Sequence, residues 1–68
     1  MNHEINITTR DKLMRAWQDS MDLVRDFEVH SHEIADDRTV SQVFAEFARE
    51  EGEHAARVRE LLLHYQQK

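Results

Sequence analysis

Glu51 and His54 stand three residues apart in the stretch FAREEGEHAARV, residues 47–58. At i and i+3 of a helix, two side chains project from one face, one turn apart. A carboxylate and an imidazole so placed can hydrogen-bond as a polar layer, or can ligate a metal through oxygen and nitrogen. Stepping by three and four along the chain gives Val40, Phe44, Phe47, Glu51, His54, Val58, Leu61 and Tyr65. The two polar residues therefore interrupt a row that is otherwise apolar. Burying a carboxylate there without a partner is costly, so something must compensate for it. A metal is one answer. A buried polar layer, formed within a chain or between symmetry mates and fixing helix register, is the other.

The elements that must position this pair are helices. Proline is absent and Gly52 is the single glycine, which leaves few breakers. Residues 1–7, MNHEINI, have no helical periodicity and read as an arm. Thr8 or Thr9 suits an N-cap, with Asp11 in the first turn facing the positive end of the helix dipole. Leu13, Met14, Trp17, Met21, Val24, Phe27, Ser31, Ile34 and Ala35 then recur at three- and four-residue spacing. They describe an amphipathic helix over about 9–35. The break falls at ADDRT, where Asp36 and Asp37 are natural caps and Thr39 with Gln42 has capping-box spacing. A second helix follows over about 38–65. Its polar face carries Glu46 with Arg49, Arg49 with Glu53, and Glu53 with Arg57, all opposite charges at helical spacing.

The expected fold is thus all-α, an antiparallel two-helix hairpin within one domain spanning 1–68. Two helices meet along one seam, so half of each apolar stripe stays wet. Dimerisation of two hairpins into a four-helix bundle is the simplest remedy. Chain length points the same way, because 68 residues supply little core. With no cysteine, disulfides and thiolate metal sites are excluded. A net charge of −5 argues against nucleic acid. No apolar run approaches the roughly 20 residues of a membrane span, and no secretory leader is legible, so a soluble cytoplasmic protein is expected.

In its residues, VFAEFAREEGEHAARVRELL (43–62) resembles the second helix of rubrerythrin and ferritin-like proteins. There a small-and-aromatic run leads into Glu-x-x-His-Ala and then a basic, leucine-rich turn. In overall plan the chain is similar to the short two-helix relatives, the encapsulated ferritins, whose iron site is completed by dimerisation. The resemblance implies that Glu51 and His54 are iron ligands, in a di-iron or mononuclear site. It also implies ferroxidase or peroxide-reducing chemistry. Helix one departs from the family pattern, which places a glutamate facing Glu-x-x-His. An antiparallel mirror about residue 36 or 37 sets residues 21–23 opposite Glu51, and these are Met21, Asp22 and Leu23. Met21 is a poor ligand for hard iron. Asp22 and Glu28 are the carboxylates that could supplement the set.

Other signals are weaker. Gly52 mirrors Ser20 and Trp17, which suggests room for the indole. His30 and His32 fall near the end of helix one, where positive charge is favoured. His32 with Glu28 has i,i+4 spacing suited to a surface metal, His64 lies near the chain end, and His3 is third from an amino terminus, a Cu(II)- or Ni(II)-binding arrangement. Two functions are consistent with all of this. One is a ferritin-like iron protein, an oxidoreductase if active, whose site is shared between subunits of a homodimer or higher homo-oligomer. The alternative is a degenerate ferritin-like hairpin with no cofactor, a non-catalytic assembly or interaction module.

Overall fold

A computed structural model describes residues 8–66. The arm over 1–7, and with it His3, lies outside the described residues. Two helices account for nearly all the rest: α1, Thr9–Glu33, and α2, Arg38–Gln66, packed antiparallel as a hairpin. No strand occurs among the described residues.

Helix α1 begins where the sequence expects it. Thr8 accepts a hydrogen bond from the Asp11 backbone N–H at 3.1 Å, and the Asp11 carboxylate accepts one from the Thr8 N–H at 3.2 Å. This reciprocal box satisfies two donors that the first turn would otherwise leave open. The helix ends at Glu33, two residues before the expected limit. Ile34 turns extended there while its N–H still bonds the His30 carbonyl. For α2 the cap is Asp37, whose Oδ1 accepts from the Val40 N–H at 3.1 Å. Thr39 is already helical, so the expected Thr39–Gln42 box does not form.

Helix α1 turns a continuous row toward its partner: Leu13, Trp17, Ser20, Val24, Phe27, Ser31 and Ile34 are half-buried. Spacings of four and three alternate along it, the periodicity of two helices wrapped side by side. On α2 the residues most withdrawn from water are Ala48, Ala55 and Leu62, while Ser41, Phe44, Glu51 and Val58 are half-buried. This seam is rotated by about one residue from the row expected. Val40, Phe47, Leu61 and Tyr65 lie outside it and remain exposed, and Met21 on α1 is 41 % exposed, its expected place taken by Ser20. Small side chains, Ala48 and Ala55 on α2 and Ser20 on α1, take part of the seam beside Trp17, Phe27, Phe44 and Leu62.

Two features fix the helices relative to each other. At the loop end, Ser31 donates its hydroxyl to the Ser41 carbonyl at 2.9 Å, and Ser41 donates to the Ser31 carbonyl at 2.7 Å. One turn further in, the Phe27 ring meets Phe44 at 5.9 Å and Phe47 at 5.6 Å between centroids, the tilted geometry aromatic rings prefer. The surface contributes little. Glu46–Arg49, Arg49–Glu53 and Glu53–Arg57 do not close as ion pairs. Among the described residues Asp22–Arg25 does close, and Glu51 meets His54, a contact that is ionic only when the imidazole is protonated.

The serine clasp is part-buried, so removing one hydroxyl costs more than a surface bond would. Ser41→Ala is expected to lower stability by about 0.5–1.5 kcal/mol. A double cycle with Ser31→Ala, read by thermal melting of helical circular dichroism, should show non-additivity. Strictly additive losses would mean the clasp is not cooperative.

Candidate functional site

Glu51 and His54 occupy consecutive turns in the middle of α2, and their spacing alone brings them together. The distance from His54 Nδ1 to Glu51 Oε2 is 3.2 Å. Since a carboxylate oxygen accepts, Nδ1 donates, and Nε2 of the neutral imidazole then carries the free lone pair. A carboxylate that orients an imidazole in this way is the arrangement by which metal-bound histidines are held.

The two side chains differ in exposure. Glu51 retains 21 % of its side-chain surface and His54 retains 68 %. Only Glu51 touches the seam. The expectation that both interrupt it is corrected for His54, which lies one step round the helix, in the row Val40, Phe47, His54 and Leu61. The rotation of the seam causes this. It also leaves Glu51 only partly buried, so that its carboxylate keeps part of its solvation and accepts a hydrogen bond.

The supplementary carboxylates do not converge on the pair. At the level of Glu51, the α1 residues turned inward are Ser20 and Val24. Asp22 lies about 200° around the helix from each of them, at 100° per residue. It is 67 % exposed and pairs with Arg25 at 3.2 Å. Glu28 lines an open groove with Ser31, His32, Ala45, Ala48 and Arg49. Glu28 and His32 thus share a groove as their spacing suggests, but with an arginine at its edge, a poor neighbour for a cation. Met21 is on the surface rather than facing Glu51. Among the described residues, no group of three or more His, Cys, Asp or Glu side chains converges. One hairpin therefore offers one carboxylate and one imidazole, a donor set suited to iron but incomplete for it.

His30, absent from the expected core, has its ring 5.6 Å from that of Phe44 at the edge of the aromatic cluster. Its i+3 relation to Phe27, on the face that meets Phe44, is the sequence signal for this placement. Gly52 is two residues from His54 and so on nearly the opposite side of α2. A Cβ built on it meets nothing within 4 Å. The indole of Trp17 is not what the glycine accommodates; Trp17 instead lines a cleft with Met14, Arg59, Leu62 and Leu63 at the open end of the hairpin.

Compared with protein-family models, with curated proteins and with solved structures, the chain matches none. No helix among the described residues is long and apolar enough to cross a membrane.

Because open space surrounds Gly52 and helical glycine is unfavourable, Gly52→Ala should stabilise the hairpin by about 1 kcal/mol. That corresponds to a melting temperature higher by about 4–8 °C in a domain of this size. A fall on this substitution would show that something approaches α2 closely at that point.

Proposed function

We propose that this chain is a ferritin-like metal-binding protein, with iron held between two copies of the hairpin. The observation that carries the reading is the placement of the Glu51–His54 pair. It is preformed at 3.2 Å, and it lies at the edge of the seam, beside a face that the hairpin leaves uncovered. Two copies brought together on that face would supply the Glu-x-x-His element twice, two carboxylates and two imidazoles. Glu51 would orient the imidazole or ligate directly, and His54 would present Nε2. The flanking Phe47 and Leu61 would exclude water from the pair. Iron bound there would supply one-electron redox chemistry, either ferroxidase turnover of Fe(II) or reduction of peroxide.

The second reading, a non-catalytic assembly or interaction module, is favoured by one observation: the inward positions of α1 opposite Glu51 are Ser20 and Val24, which provide no third ligand type. The pair would then serve as a polar layer that selects register between copies.

Anaerobic titration with Fe(II), followed by gel filtration and metal analysis, separates the two. The metal reading expects iron retained at one or two ions per two chains, with a raised melting temperature and near-ultraviolet absorbance on exposure to oxygen. Glu51→Gln and His54→Gln should each lower retention at least about ten-fold, since lost first ligands and their orienting partners typically cost 10–100-fold. Wild-type protein that retains no iron and melts unchanged would leave the assembly reading standing.

A further inference from the structure

Val40, Phe47, His54 and Leu61 are seven residues apart, two turns of helix, and so stack in one row along α2. All four are exposed, with Phe47 at 42 % and Leu61 at 49 %. Leu23 continues this apolar surface on α1. It lies four residues before Phe27, whose ring reaches Phe47, and it too is exposed. Arginines line the open grooves of the hairpin, Arg49 and Arg59 in two of them and Arg57 beside Leu61 in a third. Among the described residues only Ala48, Ala55 and Leu62 are buried within the hairpin, and none of α1 is, so the fold needs a cover for its larger apolar residues.

Charge placement identifies that cover. Three residues past each member of the row comes a flank of Val43, Glu50, Arg57 and His64. Glu50 and Arg57 are exposed, and neither has an ion partner among the described residues. We propose that a second copy of this chain docks on this face, α2 running antiparallel to α2, with the two-fold axis at His54. Across such an axis, residues at equal distances on either side of His54 meet. Phe47, seven before it, packs on Leu61 of the partner subunit, seven after. Glu50, four before, faces Arg57 of the partner subunit, three after, and the pair occurs twice. Moving the axis midway between Phe47 and His54 would instead set Glu50 beside Glu50 of the partner subunit, a like-charge contact that disfavours that register. A face that carries both signs in mirror order about its own centre is complementary to itself, which an unrelated partner would not require. The docking rests on the shared-site reading for its need of two copies, and it adds the face and the register.

The chain has no cysteine, so single introduced cysteines report register directly. In chelator and under mild oxidation, His54→Cys should form disulfide-linked dimers, whereas Met21→Cys should remain unlinked. In sedimentation equilibrium, Arg57→Glu should weaken the dimer about ten-fold by setting two like-charge contacts, and Glu50→Arg combined with it should restore wild-type affinity. Linkage through Met21→Cys in preference to His54→Cys, or no recovery in the charge-reversed double variant, would overturn the docking. A chain that stays monomeric with and without Fe(II) would end both the docking and the shared site. A dimer that persists in chelator, links through His54→Cys and retains no iron would support the docking while removing the metal.

Discussion

Two helices can share only one line of closest approach, and in this protein small residues occupy it. Ala48 and Ala55, with Leu62 toward the open end, are the side chains the hairpin withdraws from water. Their size lets the backbones come near, and nothing on α1 is buried in return. These small side chains take part of the seam beside Trp17, Phe27, Phe44 and Leu62, and Phe47, Leu61, Met21 and Leu23 lie outside it.

The relative rotation of the helices is held at two points of different chemistry. The Ser31–Ser41 clasp is directional, because each hydroxyl must reach the other's carbonyl, and a change of register breaks both bonds. The Phe27–Phe44–Phe47 cluster is less selective in angle but contributes apolar area next to the clasp. Together they set the rotation of α2 along its whole length, since a continuous helix carries it from residue 41 to residue 62. His54 is left outside and Glu51 at the edge by contacts that lie about one to four turns nearer the loop.

This rotation gives the Glu51–His54 pair its character. Fully inside the seam, the carboxylate would carry a desolvation cost that one imidazole hydrogen bond would not offset. At the edge it keeps part of its solvation and holds the imidazole by Nδ1, while His54 stays exposed. The same apolar row that exposes His54 supplies the surface on which a second copy is proposed to dock. The position of the pair and that of the proposed docking face thus follow from one packing arrangement.

The helices themselves were legible in the residues. Absence of proline, Thr8 with Asp11, and Asp37 before α2 are local signals, and local hydrogen bonds satisfy them whatever the helices pack against. The Glu51–His54 contact was legible too, because i,i+3 spacing alone sets it. The inward row of α1 was largely legible, with Leu13, Trp17, Val24, Phe27, Ser31 and Ile34 half-buried as their spacing implies, but the inward face of α2 was not. The apolar arc of α2 spans both the row containing Phe47 and Leu61 and the row containing Ala48, Ala55 and Leu62, and periodicity does not choose between rows about one residue apart. Hydrophobicity favours the first, whereas close approach of two backbones favours the second. That choice depends on both helices at once, so only the tertiary structure places Met21 and Asp22 on the surface and Ser20 and Val24 opposite Glu51.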